Sequence, residues 1–487
     1  MILKKAVAFL LTLAVCGLGV VAAAEETGSA VGGTGPVILD EEAVVDLPPD
    51  GQHFRTALER VKHPAPWVEI GGDLRLRQVF IENGIDLLNE MDDTLHFFRI
   101  RPRLWARFGP FGVDEALDKP NGFNVYVRIT AEPRPFIEPE QSPTWDEVVL
   151  DNLYFDWNRV DGMPISLRVG RQDMVYGPPA HPGFVILDGT PLDGSRTIYS
   201  DAIRARLHMD ECKSILDLFY INNKGRQSRV HPLNDSDSLV SEFDATVMGA
   251  YLVNKQVESH ELHAYYLYKD EDWVDGGSAR HVHTLGTAIE KAPNDGIDYY
   301  AEVAGQWGDY VGWGRPGSQT LKAIGFSSDL GYTFADAKWS PRIHAAYEFL
   351  SGDDPGSRRV EIWDPVLARW PHWSELYVYS WIMETGFPGW YSNLHRFTFG
   401  GSVHPNRDTC LDVDYSFLRA NENVPLGGGP IFSNGLKRGH LLTAVLTHQF
   451  SKYLSGHLWA EYFHPEDFYI DDTDEAFFLR WQVTFKF

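Results

Sequence analysis

From Trp67 to the final Phe487, apolar and polar residues alternate in short runs separated by clusters of turn-forming residues. Period-two alternation marks a β-strand, because successive side chains leave the backbone on opposite faces. Eighteen runs can be drawn, beginning near residues 67, 94, 121, 147, 165, 200, 212, 244, 259, 281, 297, 321, 341, 392, 409, 439, 454 and 476. No long helical period interrupts them. The connections alternate as well. After odd-numbered runs they are long: 81–93, 133–146, 172–199, 222–243, 269–280, 308–320, 351–391, 419–438 and 465–475. After even-numbered runs they are short: 159–164, 210–211, 254–258, 291–296, 334–340, 404–408 and 451–453. Only 109–120 breaks the rule. A membrane-crossing closed sheet has loops on one side and tight turns on the other. A soluble sandwich has no reason to keep this order. The pattern predicts an all-β transmembrane antiparallel β-barrel of eighteen strands over residues 67–487, with long extracellular loops and short periplasmic turns.

The final run is the sharpest. Phe477, Leu479, Trp481, Val483, Phe485 and Phe487 fall on one face, and Phe478, Arg480, Gln482, Thr484 and Lys486 on the other. At the edge of a soluble sheet that apolar face would be an aggregation hazard. A period-two strand ending on an aromatic residue resembles the signal by which the barrel assembly machinery takes up its clients, with Phe487 as the contact.

The second run decides which face looks inward. Arg99, Arg101, Arg103 and Arg107 share one face, and Phe98, Ile100, Pro102, Leu104, Ala106 and Phe108 the other. An arginine facing lipid at mid-membrane costs roughly 2–4 kcal/mol. Four would cost on the order of 8–16 kcal/mol, as much as a whole domain's stability. The arginine face must look into the lumen. By the same alternation Asp73, Arg75, Arg77, Arg128, Glu132, Arg168, Arg204 and Arg206 face inward on early runs, and Glu302, Glu348, Asp412, Asp414 and Glu461 on later ones. This predicts a basic wall opposite an acidic one, with a transverse field between them. Inward arginines can face a permeating solute or be consumed by inward carboxylates. Eighteen strands leave an interior wide enough for an aqueous channel.

Composition agrees with a barrel. Mean hydropathy is −0.26, yet strands that alternate average to a soluble-looking value. Beyond the N-terminus no stretch of about 18 apolar residues occurs. Residues 1–24 read as a secretory leader: Lys4 and Lys5, an apolar Ala6–Val21 stretch, then Ala22-Ala23-Ala24 before Glu25. A lipoprotein signal at Cys16 is the rival, but Val15 stands where a small residue is wanted. Residues 25–66, rich in Gly, Pro and acids, read as a periplasmic N-terminal segment with a short helix at 53–61. Losing two lysines with the leader takes the net charge from −25 to −27, which argues against a nucleic-acid partner. Cys212 and Cys410 fall on runs eight apart, too far for a disulfide, and are expected as free thiols.

From Val169 the chain reads Val-Gly-Arg-Gln-Asp-Met-Val-Tyr-Gly. Ile-Leu-Asp-Gly-Thr-Pro-Leu-Asp-Gly-Ser-Arg follows at 186–196, then Tyr199 and Asp201-Ala202-Ile203-Arg204. With the arginine-rich second run and Ser351-Gly352-Asp353-Asp354, this resembles the alginate-export outer-membrane family. The resemblance implies an eighteen-stranded barrel acting as an anion-favouring conduit for a polyuronate, with basic residues at the constriction and long loops as gates. It carries the pore role onto Arg75, Arg77, Arg99, Arg101, Arg103, Arg128, Arg168, Arg204 and Arg206. Loop 172–199, with Tyr176, Asp188, Asp193 and Arg196, is the candidate gate; it either folds inward or caps the barrel outside. The implied partners are an anionic polysaccharide or oligosaccharide, outer-membrane lipid and periplasmic export proteins. An uptake porin for small anions is the alternative.

Other signals are weaker. Loop 351–391 holds Trp363, Trp370, Trp373, Tyr377, Tyr379, Trp381, Trp390 and Tyr391, which can stack on sugars but more simply pack the loop or join an interfacial girdle. His281 and His283 share a strand face without an evident third metal ligand, and read as a solvated lumen face. Asp353-Asp354 and Asp471-Asp472 lack the spacing of a calcium loop. His440, His448, His457 and Ser451 show no nucleophile-elbow spacing. No catalytic residue, metal or cofactor is therefore assigned, and no enzyme activity is expected.

Overall fold

The alternation becomes one sheet in the computed structural model. It describes residues 59–487 except 89–92, 113–120, 145–147, 179, 182, 186–199, 226–229, 231, 235–242, 275–277, 313–315, 368–370, 377–390 and 424–430. The strands are β1 (Val68–Glu82), β2 (Leu95–Phe111), β3 (Gly122–Ala131), β4 (Phe136–Glu138), β5 (Val148–Asn158), β6 (Ile165–Gln172), β7 (Ser200–Met209), β8 (Ser214–Asn223), β9 (Phe243–Asn254) and β10 (Glu261–Trp273). Then come β11 (Ala279–Lys291), β12 (Gly296–Val311), β13 (Ser318–Thr333), β14 (Arg342–Leu350), β15 (Leu394–Asn406), β16 (Thr409–Arg419), β17 (Lys437–Ser451), β18 (Leu454–Pro465) and β19 (Ala476–Lys486). β4 is a three-residue piece lying against the top of β2. The other eighteen pair antiparallel in chain order, and β1 pairs with β19 to close the barrel. Closure leaves no sheet edge exposed, as backbone polar groups in lipid require.

The seam uses the end of the chain. Phe487 donates its N–H to the Gly72 carbonyl at 3.0 Å, and Gly72 donates back to the Phe487 carbonyl at 3.3 Å. Gly71 and Gly72 are needed there. A Cβ on Gly71 would collide with the Trp105 indole, and one on Gly72 would press on the Arg103 carbonyl and the Phe487 ring.

Exposure separates the faces as the arginine argument requires. Leu104 is 60 % exposed and Ile203 52 %, whereas Arg77 is fully buried and Arg99 and Arg101 are 8 % exposed. Trp67, Phe111, Phe123 and Phe155 form part of an outer aromatic row near the short turns, with neighbouring ring centroids 5.2–6.3 Å apart.

Two connections are shorter than expected. β10 and β11 run on through Trp273 and from Ala279, and β12 and β13 through Val311 and from Ser318. Connections 274–278 and 312–317 are therefore shorter than the 334–341 turn, so strict long–short alternation fails here. The extensions, such as Lys269-Asp270-Glu271-Asp272, are polar on both faces and carry no alternation to read. His281 and His283 also differ from expectation. Val282 between them is 1 % exposed and faces inward, so both histidines lie on the outer face, His283 near-parallel to Trp307 at 5.4 Å. Of the 53–61 helix, only 59–61 lie among the described residues, where 59–62 make one turn closed by His63 N–H to the Glu59 carbonyl. Cys212 and Cys410 are free.

Gly72→Val should overpack the seam by about 1–3 kcal/mol. The check is the temperature at which the compact barrel band converts to the unfolded band in gel electrophoresis. A clear drop is expected, and Phe487→Ala should move it the same way by less.

Candidate functional site

The inward arginines sit where alternation places them, but most are engaged. Glu132, just past β3, takes Arg75 at 2.8 Å and Arg99 at 2.7 Å, and Arg134 at 3.1 Å. Asp73 takes Arg103 at 2.6 Å and Arg101 at 3.5 Å. Arg107 meets Glu69 at 3.4 Å. Arg77 donates to the Gln482 side-chain carbonyl. A bulge in β5 brings Asp151 and Asn152 both to the buried side. Asp151 then holds Arg128, which also reaches Asp173 at 2.7 Å, while Asn152 donates to the other Asp173 oxygen. Such charge-assisted bonds in a low-dielectric wall are strong, and removing one partner strands a buried charge.

The row Arg168, Arg204 and Arg206 on β6 and β7 is more open. Arg168 bonds Asp156 at 2.7 Å and Arg206 bonds Asp217 at 2.8 Å, with side chains 24 % and 38 % exposed. Arg204 faces Arg168 across the β6–β7 register.

The acidic side is equally mixed. Glu348 holds Arg396 at 3.0 Å, and Asp414 meets His344 at 2.9 Å. Asp412 accepts from the Cys410 thiol. Glu461 accepts from Ser374 Oγ and the Glu375 amide. Glu302 accepts from the Tyr265 and Tyr300 hydroxyls and the Phe184 amide. The expected division into a basic and an acidic wall is thus corrected. Each wall carries both signs, because neighbouring inward strands supply counter-charges at hydrogen-bond range.

Two long connections enter the barrel. The described first half of 173–199 runs along the inner wall from β8 to β13. Tyr176 stacks on Phe219 and packs on Tyr251, and donates to Asp217 at 3.1 Å. Ala180 N–H donates to Glu290 at 3.2 Å and Phe184 N–H to Glu302 at 2.9 Å. His181 stacks on Tyr300 with Glu290 at 3.5 Å and Asp329 at 3.7 Å. Asp188, Asp193 and Arg196 lie outside the described residues. The second connection, 351–393, is tied on one side to β10 by Asp364 on Lys269 at 2.6 Å, and on the other to β18 by Ser374 on Glu461 at 2.6 Å. Those strands are eight apart in a ring of eighteen, so the described residues of this connection are tied to nearly opposite sides of the barrel. Phe184 and Trp363 touch where the two loops meet, ring centroids 5.1 Å apart. Trp363 and Tyr391 are buried in loop packing, and Trp373 lies under Arg396; the other aromatic residues of this connection named above lie outside the described residues.

The ties of these loops lie where the sequence carries no alternation. Lys269 and Arg280 hold Asp364 and share Glu271, in a stretch that the pattern assigns to a loop. Arg342, which joins Asp298 and Asp329, was not singled out. Its isolated inward position among Ile343 and Ala345 was the available signal. The histidines and Ser451 do not converge: His440 pairs with Tyr415 and Glu466 near the long loops, and His448 with Thr409 near the short turns.

Over residues 67–477 the sequence matches the alginate export profile. The chain belongs to the alginate export family. Its fold is similar to that of Pseudomonas aeruginosa OccK2 (OpdF), with a TM-score of 0.53, 12 % identity, 86 % of this chain and 97 % of that one. Pseudomonas aeruginosa OpdQ is similar at a TM-score of 0.52 and 10 % identity, over 86 % and 98 % of the two chains. A structure of OccK2 (OpdF) in complex with glucuronate gives 0.51 and 13 %, over 86 % and 97 %. No curated protein matches the chain. Family and fold together make this member of the alginate export family an outer-membrane channel.

Glu132→Gln should cost about 3–5 kcal/mol by stranding Arg75 and Arg99, read as a lower urea midpoint of the barrel in vesicles. The inward loop should respond to pH. Burial alone would lower the His181 pKa, but Asp329 and Glu290 outweigh it and raise it above the ordinary 6.5. Tyr300 stacks on the ring, and Arg342 and His344 share Asp329. The charged tie is therefore present below the ordinary value and lost as pH rises through the raised one. Hydrogen exchange of 173–185, after correction for the intrinsic pH dependence of amide exchange, should be slow at low pH and quicken as pH rises through the raised His181 value. His181→Phe should flatten that dependence.

Proposed function

We propose that this channel passes an anionic polysaccharide or oligosaccharide, an alginate-like polyuronate, through its arginine-bearing lumen. The observation that carries the reading is the Arg168–Arg204–Arg206 row, three guanidinium groups on neighbouring inward positions of which Arg168 and Arg206 keep side chains 24 % and 38 % exposed. Guanidinium pairs carboxylate with planar bidentate bonds and stays charged at any relevant pH. Several weak sites in succession suit transport, since conduction needs release as well as capture. The leader is removed on export, Phe487 engages the barrel assembly machinery, and periplasmic export proteins deliver the polymer. The barrel is a passive conduit, and purified protein should not label with a serine-hydrolase probe.

The inward loops favour a second reading. With one connection tied to both sides of the barrel and another along its wall, the narrowed interior suits a small anion better than a polymer. Uptake of short acidic sugars would then be the task.

Planar bilayers test the reading. Reversal potentials in a salt gradient should show anion preference, and short uronate oligomers should block the current. Arg168→Gln with Arg206→Gln should weaken that preference. Clear cation preference of the unaltered protein, with no block, would defeat it.

A further inference from the structure

The outward face of β15 and β16 climbs in three rungs toward the long loops. Phe399 stands opposite Tyr415, Phe397 opposite Phe417, and His395 opposite Arg419. Phe399, Tyr415 and Phe397 are 67 %, 45 % and 42 % exposed, as rings that meet lipid are. On β17 the same face runs from Phe450, near the short turns, up to His440. That is roughly 33 Å along the strand, or about 25 Å of height at the usual tilt, the thickness of a barrel's apolar band. His440 therefore marks the outer edge of the hydrocarbon. The Tyr415 hydroxyl at 2.6 Å and Glu466 at 2.8 Å hold it there. Arg419 and Lys437 lie one rung above.

On that rung Arg419 stands directly opposite Lys437, beyond the bulge that buries Arg438. Like charges directly across a strand pair destabilise it. Both side chains are exposed. Lys437 reaches Glu466 at 3.5 Å, a carboxylate it shares with His440. Among the described residues no carboxylate bonds Arg419. At this end of other strands Arg171 is matched by Asp201, Lys224 by Asp244, and His281 by Asp270 and Asp309. The nearby acids Asp354, Glu361 and Glu422 line a cavity of about 400 Å³ that Lys322 also lines. Arg419 and Lys437 are thus two adjacent cations answered by half of one carboxylate.

A guanidinium and an ammonium side by side at the edge of the hydrocarbon suit an anion carried on a lipid. The outer leaflet of an outer membrane is built of phosphorylated glycolipid, whose phosphates stand just above the acyl chains. A phosphate takes a guanidinium fork and an ammonium together, and a basic pocket at headgroup level selects anionic lipid. We propose that Arg419 and Lys437 dock the phosphate of an outer-leaflet glycolipid, whose acyl chains lie against Phe397, Phe399 and Tyr415. His440 takes no part, because both its ring nitrogens are engaged. The bound phosphate removes the repulsion between the two cations and so clamps β16 to β17 at their upper ends. The site is on the outer wall, so it holds whatever solute the lumen carries.

Native mass spectrometry of the detergent-solubilised barrel tests this. The probe is bisphosphorylated lipid A, compared with the same lipid A after enzymatic removal of its phosphates. Arg419→Gln should weaken lipid A binding about tenfold, the effect of losing one charged hydrogen-bonded contact, and Arg419→Gln with Lys437→Gln should weaken it further. Arg419→Lys should keep part of the affinity. Lys213→Gln, at a short turn on the opposite side of the membrane, should leave it unchanged. Phosphate-free lipid A should bind the unaltered protein no better than lipid A binds the double variant. Heat-shifted gel mobility confirms that each variant is a folded barrel. If the double variant keeps its affinity within twofold, if phosphate-free lipid A binds as tightly, or if Lys213→Gln weakens binding as much, the docking site is overturned. Displacement of lipid A by millimolar inorganic phosphate would make this a site for the free anion and overturn the lipid as its occupant.

Discussion

The structure depends on guanidinium groups that cannot face lipid. Four on one strand face would cost on the order of a domain's entire stability if turned outward, so β2 can only be built into a wall whose other side is shielded. Closure of eighteen strands supplies the shield, and the β1–β19 seam, fixed by Gly72 and Phe487, completes it. Once the arginines are inside, they need counter-charges. Asp73, Glu132, Asp151 and Asp156 on neighbouring strands provide them at 2.6–3.5 Å. Removing a single carboxylate is therefore more damaging than its size suggests, because two guanidinium groups lose their partner together.

The same chemistry shapes the lumen. Charged groups left over on the later strands are answered by loop residues: Glu302 by the Phe184 amide, Glu461 by Ser374, and Lys269 by Asp364. Two connections are drawn inward by these bonds and by apolar contact between Phe184 and Trp363. The wide interior of an eighteen-stranded barrel is consequently subdivided. The arginines on β6 and β7 lie on the stretch of wall beside the Tyr176 anchor, where Arg206 and Tyr176 share Asp217.

Much of this was legible beforehand because lipid enforces alternation. Run starts fall within three residues of the strands, and every inward arginine assigned from β2 lies on the inner face. Legibility failed where lipid stops enforcing it. Lys269 to Asp272 and Asp309 sit on strand extensions that are polar on both sides, so they read as loop. His281 and His283 looked like lumen residues, but Val282 sets the face. The pairing of the arginines could not be read, because it depends on register and on a bulge at Asp151, neither of which a single sequence displays. Nor could the choice between an inward and an outward loop 172–199, since the carboxylates that capture it come from β8, β11, β12 and β13, 41 residues away for Asp217 and more than a hundred for Glu290 and Glu302.

The claim that arginines line the inside and their neighbours face lipid can be tested residue by residue. In a protein with Cys212→Ser and Cys410→Ser, cysteine is placed in turn at positions 99 to 104, labelled with a fluorophore and exposed to lipid-borne nitroxide quencher. The account predicts strong quenching at positions 100, 102 and 104 and little at 99, 101 and 103. Quenching at the arginine positions, or equal quenching at all six, would contradict it.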